Sequence, residues 1–111
     1  MDELTWRPYE PSDAPALTAL INEIERAAGG THSFTEDQLH AFSGTLRDPG
    51  EDSRSVLTPE GVLVGYGWVP APPAGGHRVD LWGGVHPDWR GRGIGRRLLR
   101  WQLDRASTGH R

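Results

Sequence analysis

The feature that most restricts the fold of this 111-residue sequence is a glycine-rich turn between a strand-like and a helix-like segment. Apolar alternation predicts a strand over residues 78–85, and apolar residues at helical spacing predict a helix over 93–105. Gly91, Gly93 and Gly95 lie at the junction. The first amides of a helix lack internal acceptors and lie at the positive end of its dipole, and glycines leave them open to an anion. The turn therefore predicts a binding site for a diphosphate.

Positive charge is concentrated around this turn. The chain has a formal net charge of −3 and contains no lysine, so its twelve basic residues are all arginine. Seven of these arginines follow Val85, whereas only two acidic residues do. A local basic segment on an acidic chain favours a local anionic ligand and argues against a nucleic-acid partner.

Residue types that are absent from the sequence exclude several classes of site. No cysteine is present, which excludes disulfides, thiolate metal sites and a cysteine nucleophile, and the histidines lack ligand spacing, so no metal is expected. Without lysine the turn cannot be a nucleotide-binding P-loop, and its glycine spacing fits a dinucleotide fingerprint poorly. No secretory signal or membrane-length apolar run is recognisable, which predicts a cytoplasmic protein without membrane contact.

The N-terminal half predicts two helices after a first strand at residues 4–9. Ser12 or Asp13 can cap the first helix, whose apolar residues recur at helical spacing. The second begins with a capping box formed by Thr35 and Gln38, and Asp48-Pro49-Gly50 is expected to end it.

The next segments predict an antiparallel hairpin with strands over 53–57 and 62–69, joined by a turn that contains proline and glycine. Gly65 and Gly67 in its second strand indicate a bulge or a close neighbour. Adding the strand and helix around the glycine turn gives the order β-α-α-β-β-β-α, which is an α/β fold.

Residues 90–95 read Arg-Gly-Arg-Gly-Ile-Gly, with Val85-His86-Pro87 before them and Leu98-Leu99 after them. This arrangement resembles the acetyl-CoA signature of the GNAT superfamily of N-acetyltransferases, Arg/Gln-x-x-Gly-x-Gly/Ala, at every fixed position. Arg7-Pro8 and the segment 13–17 also resemble the start of the family fold. The resemblance covers essentially the whole chain, residues 1–111, which we interpret as a single domain.

The resemblance implies a GNAT-like fold, with a largely antiparallel sheet flanked by helices. In the family a further strand and helix follow the signature helix, and this sequence ends at Arg111 without them. We therefore expect a truncated domain that lacks the C-terminal strands of the family, with an open sheet edge. A second copy of the chain or the missing C-terminal half would cover that edge.

The resemblance also assigns roles to individual residues. The amides of the turn and its arginines would hold the diphosphate of acetyl-CoA, and the end of the preceding strand would pair with the pantetheine arm. The cofactor-binding residues implied are Gly83, Gly84, Val85, Arg90, Gly91, Arg92, Gly93, Ile94, Gly95 and Arg96. The backbone amide of Val85 would act as the oxyanion donor.

Two side chains near this segment have two interpretations each. Asp80 lies where some family members place a catalytic carboxylate, or it is a surface residue of an edge strand. His86 relays a proton, or it is a turn residue before Pro87. The family tyrosine that protonates the thiolate has no counterpart, because Tyr9 and Tyr66 lie far upstream.

The function implied is an acyl-CoA-dependent N-acetyltransferase that moves acetyl from acetyl-CoA to an amine by direct attack. The acceptor would be a small-molecule or peptide amine. The alternative is an inactive GNAT half-domain that binds CoA or packs against a partner domain. A small nucleic-acid binder that uses the arginine-rich helix is a third hypothesis, which the acidic remainder of the chain opposes.

Overall fold

The fold is a four-stranded sheet with helices on both of its faces. The computed structural model describes residues 4–31, 33–46, 48–70 and 81–109. The elements, in chain order, are β1 (Thr5–Arg7), a 3-10 turn (Pro11–Asp13), α1 (Ala14–Ala27), α2 (Glu36–Ser43), α3 (Pro49–Asp52), β2 (Ser53–Leu57), β3 (Leu63–Trp68), β4 (Trp82–Val85), a second 3-10 turn (Pro87–Trp89) and α4 (Ile94–Gly109).

The sheet has the strand order β1-β2-β3-β4, and each strand pairs antiparallel with the next in the chain. The predicted hairpin is confirmed, since β2 and β3 pair from Ser53 opposite Trp68 onward. Its turn closes with a 2.9 Å hydrogen bond from the N–H of Gly61 to the carbonyl of Thr58, and Gly61 has a φ of 87°. Of the strand predicted over residues 78–85, the part from Trp82 onward is a strand, and residues 78–80 lie outside the described residues.

One face of the sheet is covered by α1 and α2 and contains the larger core. Trp68 is fully buried there and makes edge-on contacts with other rings, at centroid distances of 5.0 Å to Tyr9 and 6.0 Å to Phe42. The buried members of this core are Tyr9, Ala14, Leu17, Leu20, Leu39, Leu46, Leu57, Leu63, Tyr66 and Trp68. Each fully buried aliphatic or aromatic side chain contributes roughly 1.5–3 kcal/mol, so this face supplies most of the apolar stabilisation.

The opposite face is covered by α4 alone. Ile94 and Leu98 of α4 pack with Val56 and Val64 of the central strands. A β-carbon on Gly67 would lie 3.1 Å from Leu98 Cδ2, and one on Gly65 would lie 3.3 Å from Ile94 Cγ2. Both predicted features occur here, because α4 rests directly on β3 and the β2–β3 register shifts next to Gly65, where Val56 lies opposite Gly65 but Leu57 lies opposite Leu63.

Asp13 connects the first strand to the first helix. Its carboxylate accepts a 2.9 Å hydrogen bond from the N–H of Glu10, so it closes the 3-10 turn, whereas the sequence suggests a cap for α1. Arg7 donates to both carboxylate oxygens at 2.7 Å. Burial acts to raise the pKa of Asp13, but the hydrogen bonds from Arg7 and Glu10 outweigh it, and the pKa is lowered.

The second helix begins as predicted and ends earlier than predicted. The Thr35–Gln38 capping box is present, with the N–H of Gln38 donating to Thr35 Oγ1 at 3.1 Å. Pro49-Gly50, expected to end α2, instead belongs to the one-turn helix α3. Proline is well tolerated in the first turn of a helix, so the segment that signals a stop can also start a new turn.

The predicted fold class is confirmed by this arrangement, in which a mixed α/β chain forms an antiparallel sheet flanked by helices. The three short helical turns are additions to the predicted element order. Among the described residues, no helix combines the length and apolar character that a membrane crossing requires. The assignment of residues 1–111 to one domain stays a prediction.

Replacing Asp13 by Asn should lower the free energy of unfolding at pH 7 by about 1–3 kcal/mol, because the bidentate ion pair with Arg7 loses its charge. Since the folded pKa of Asp13 is lowered, its stabilisation is present above the unfolded pKa of about 3.9 and disappears as the pH falls through the folded value. Urea unfolding from pH 7 to pH 3 should therefore show a shrinking difference between the two proteins.

The matched control is Glu10→Gln, whose side chain is 61% exposed and lies 3.5 Å from Arg7. This exposed pair should contribute at most about 1 kcal/mol. A difference between wild type and Asp13→Asn that stays constant with pH would contradict the role of the carboxylate.

Candidate active site

The connection between β4 and α4 forms the predicted glycine-rich turn. His86 starts the 3-10 turn, with its Nδ1 accepting a 3.1 Å hydrogen bond from the N–H of Asp88. Gly91 and Gly93 follow with φ values of 80° and 84°, a region that other residues rarely adopt. The helix α4 then begins at Ile94. The two positive φ values direct the chain from the end of the strand into the helix.

The turn and the first residues of α4 surround a surface cavity of about 420 Å³. The first helical hydrogen bond of α4 runs from the N–H of Arg97 to the carbonyl of Gly93, at 3.1 Å. The N–H groups of residues 94–96 come before it and therefore have no acceptor within the helix. The lining residues are Val85, Trp89, Arg90, Gly91, Gly93, Ile94, Gly95 and Arg96. The cavity thus combines helix-start amides with arginine side chains, which suits an anion.

The arginines near the turn divide into two groups. Arg90 and Arg96 are exposed and line the cavity. Arg92 lies over the Trp89 ring, with its guanidinium carbon 4.6 Å from the centroid, and is not among the lining residues. Arg97 lies over Trp6 in the same way, at 4.4 Å. Two of the three arginines predicted to contact phosphate are therefore beside the cavity, and Arg92 is held on an indole.

Gly95 differs from the two glycines before it. It lies in the first turn of α4, and positive φ values occur at Gly91 and Gly93 but not here. A β-carbon at Gly95 would approach Val85 Cγ2 to 3.6 Å, which is ordinary contact. A side chain at position 95 would therefore cause no backbone strain, but it would occupy part of the cavity.

The backbone of β4 has one side paired and one side at the edge of the described sheet. The N–H of His86 donates to the carbonyl of Val64 at 2.8 Å, and Gly84 lies opposite Tyr66. Because hydrogen-bonding direction alternates along an antiparallel strand, the N–H groups of Gly83 and Val85 point away from β3. In the described part of the chain, β4 is the last strand of the sheet.

A second cavity, of about 340 Å³, continues from the first along this edge. Val85 and Gly95 line both cavities, so they mark the junction. The remaining lining residues of the second cavity are Tyr66, Leu81, Gly83, Gly84, Leu98, Leu99 and Gln102. Together the two cavities form a groove that runs from the start of α4 along β4.

Gly83 and Gly84 are restricted by contacts on opposite faces of the sheet. A β-carbon at Gly83 would lie 2.7 Å from the carbonyl oxygen of Tyr66, which is backbone and cannot move aside. A β-carbon at Gly84 would lie 2.8 Å from Cδ1 of Ile24, the flexible end of a side chain on α1. Glycine at these positions lets the neighbouring elements approach β4 closely.

Gln102 is a residue of the site region that the sequence analysis missed. It is buried, with 5% of its surface exposed, and its Nε2 donates to the carbonyls of Trp68 and Trp82 at 3.0 and 2.9 Å. The amide of Gln102 thereby ties α4 to both strands at the start of β4. The sequence does contain a sign of this role, because Gln102 is a polar residue one helical turn after Leu98, on the apolar face of α4.

The predicted acid–base residues are placed as follows. Asp80 lies outside the described residues. His86 occupies the turn position described above, and its Nε2 lies 3.9 Å from a carboxylate oxygen of Glu23. Burial raises the pKa of Tyr66 to about 12, so its phenol is neutral near pH 7 and is no base. No group of metal-binding side chains is found among the described residues.

The two strand glycines give a matched stability test. Gly83→Ala should lower the free energy of unfolding by about 1–3 kcal/mol, because the new methyl group meets backbone, whereas Gly84→Ala should have a smaller effect because Ile24 can rotate. Denaturant unfolding of the two variants measures the difference. A larger loss for Gly84→Ala than for Gly83→Ala would contradict the described geometry of β4.

The chain is similar to known acetyltransferases in both sequence and structure. The family description "Acetyltransferase (GNAT) domain" matches residues 52–110, from the end of α3 through α4. Mycothiol acetyltransferase from Salinispora arenicola (strain CNS-205) is 36% identical over an alignment of 94 residues, which covers 79% of this chain and 28% of that protein.

Solved structures show the same likeness. A GCN5-related N-acetyltransferase from Sphaerobacter thermophilus superposes with a TM-score of 0.81 at 27% identity, over 95% of this chain and 32% of that one. The structure of yncA from Salmonella typhimurium with its cofactor acetyl-CoA gives a TM-score of 0.74 at 24% identity, over 95% and 64%. The chain therefore spans less than a third of the length of the Salinispora and Sphaerobacter proteins. From the match over residues 52–110 and the shared fold, we conclude that the chain belongs to the GNAT acetyltransferase family.

Proposed function

We propose that this chain binds acetyl-CoA and transfers its acetyl group to an amine. The observation that carries the proposal is the groove that joins the amides at the start of α4 to the outward-facing amides of β4. Acetyl-CoA matches both parts of the groove, because its charged diphosphate is followed by a long arm that contains amides. Membership of the GNAT family supports the same assignment.

The diphosphate would occupy the cavity at the glycine turn. The amides of 94–96 donate to phosphate oxygens there, and the helix dipole adds about 0.3–1 kcal/mol for a nearby anion. Arg90 and Arg96 line the same cavity and supply charge-assisted donors. Arg92 would contribute positive potential and hold Trp89 in place as part of the cavity wall.

The pantetheine arm would lie along β4 as an additional extended segment. The N–H groups of Gly83 and Val85 face this edge, and such main-chain pairing is a common way to bind an extended ligand. The sequence assigns the oxyanion role to the amide of Val85. The arm, however, is about as long as four extended residues. An arm that starts at the glycine turn would therefore place the thioester beyond Val85, so the amide of Gly83 is a second candidate for the oxyanion donor.

The reaction would proceed by direct attack. The neutral amine nitrogen adds to the thioester carbonyl, forming the new C–N bond, and gives up a proton to a base. The C–S bond then breaks and releases the CoA thiolate. A backbone N–H stabilises the oxyanion of the intermediate, an effect worth about 2.7–4 kcal/mol in other enzymes. The 111 residues contain no cysteine that could carry the acetyl group, which agrees with transfer in one displacement. Asp80 remains a proposed proton acceptor.

Acetyl-CoA binding should depend on Arg96 and not on Arg97, its neighbour on α4. Arg96 lines the cavity, whereas Arg97 lies over Trp6. Calorimetric titration should show Arg96→Ala weakening acetyl-CoA binding about tenfold, as expected for a lost charge-assisted hydrogen bond, with Arg97→Ala within about twofold. Gly95→Glu should abolish binding, because a carboxylate would enter the junction of the two cavities.

Folding of each variant is checked by circular dichroism before titration. Equal weakening by the two alanine variants, or normal binding by folded Gly95→Glu, would refute the groove as the acetyl-CoA site. Turnover is then measured separately, as release of CoA with a panel of amines. Binding without turnover over the whole panel would favour the alternative, an inactive half-domain that binds CoA.

A further inference from the structure

A third cavity, of about 370 Å³, lies on the other face of the sheet, between α1, α2 and the start of β4. Its lining residues come from both helices, from the segment between them and from the strand, and are Ile21, Asn22, Glu25, Ser33, Phe34, Gln38, Phe42 and Trp82. None of these residues belongs to the groove proposed for acetyl-CoA. The cavity is therefore separate from that groove.

Aromatic rings form much of the wall. Phe42 stacks on Trp82 with ring centroids 4.3 Å apart and planes 21° apart, and Phe34 lies 5.7 Å from Trp82. Trp82 is supported from behind by Tyr66 and Trp68, both at 5.1 Å. Because the rings pack against one another, the wall is held in place, and the parts of the rings that remain accessible give the cavity an apolar side.

Two of the four polar lining residues, Asn22 and Gln38, make hydrogen bonds within the fold. Asn22 donates to the carbonyl of Phe34 at 3.0 Å and accepts from its N–H at 2.7 Å. Gln38 is engaged in the capping box, where its Oε1 accepts from the N–H of Thr35 at 2.9 Å. Among the described lining residues, Glu25 carries the one charge. A ligand would therefore meet apolar rings, the carboxylate of Glu25 and Ser33, the remaining polar residue of the lining.

The position of the cavity relates it to the proposed reaction. Trp82 directly precedes Gly83, whose N–H faces the acetyl-CoA edge of β4. On the helical face, Ile24 of α1 lies against Gly84 of the same strand. An occupant of the cavity thus lies beside the strand that would hold the thioester, and it approaches from the face opposite α4.

We propose that this cavity binds the acceptor, and that the acceptor is an amine attached to an aromatic or similarly flat apolar group. The proposal rests on the acetyltransferase function proposed above. The aromatic wall buries the flat group, and Glu25 attracts the ammonium form and repels anionic compounds. The short supply of unused hydrogen-bonding groups disfavours sugars and other strongly hydrated amines, which would lose water contacts without replacement.

The test uses calorimetry on the full chain loaded with CoA, so that no transfer occurs during the measurement. The ligands are 2-phenylethylamine, ethanolamine, which lacks the ring, and phenylacetate, which replaces the ammonium by a carboxylate. We expect 2-phenylethylamine to bind at least about tenfold more tightly than either of the others. Equal or tighter binding of ethanolamine or phenylacetate would overturn the proposal.

Variants then locate the binding. Phe34→Ala and Glu25→Gln should each weaken 2-phenylethylamine binding about fivefold to tenfold. The control is Glu23→Gln on the same helix, because Glu23 pairs with Arg26 at 3.1 Å and is not among the lining residues. It should change the affinity less than twofold, and an effect as large as that of Glu25→Gln would place the amine elsewhere.

Turnover separates this inference from the function on which it rests. Binding of 2-phenylethylamine with the expected response of the variants, but no acetylation of any amine, would keep the pocket and refute the catalytic proposal. Acetylation of polar amines in preference to 2-phenylethylamine would keep the acetyltransferase and refute the acceptor class.

Discussion

The close approach of α4 to the middle of the sheet determines where a ligand groove can form. Gly65 and Gly67 present no side chains to α4, so Leu98 lies directly on β3. At this depth, the first amides of the helix lie beside the end of β4, and a β-carbon at Gly95 would come within contact distance of Val85. Because packed interiors tolerate little added volume, a larger residue on β3 would lift the helix and separate its amides from the strand.

The strand β4 has only four residues, and they contact three different surroundings. Trp82 closes the aromatic core, Gly84 admits α1, and Gly83 and Val85 direct their amides to the edge of the described sheet. Alternation along the strand makes this division possible, since successive side chains and successive amides point in opposite directions. Two chemically distinct cavities can therefore lie on the two sides of one short strand.

Features that depend on neighbouring residues could be predicted from the sequence, whereas contacts between distant segments could not. The Thr35 cap and the Gly61 turn depend on neighbouring residues, and both were predicted correctly. Asp13 closes a 3-10 turn and is paired with Arg7 of β1, and Arg92 lies over Trp89. The sequence pattern alone reveals neither contact. Gln102 was missed because its partners, two backbone carbonyls, lie far away in the chain. The roles assigned to the site residues stay predictions.

The segment that carries Phe34 is held by Asn22 of α1, and this affects how substitutions can change the cavity at Trp82. Asn22 holds both the N–H and the carbonyl of Phe34, so the backbone there is fixed independently of the ring that it carries. A different side chain at position 34 can thus be presented at the same place without rearranging the segment. If the cavity binds the acceptor as proposed, a substitution at position 34 would change the surface that the acceptor contacts while the hydrogen bonds from Asn22 keep the backbone in place.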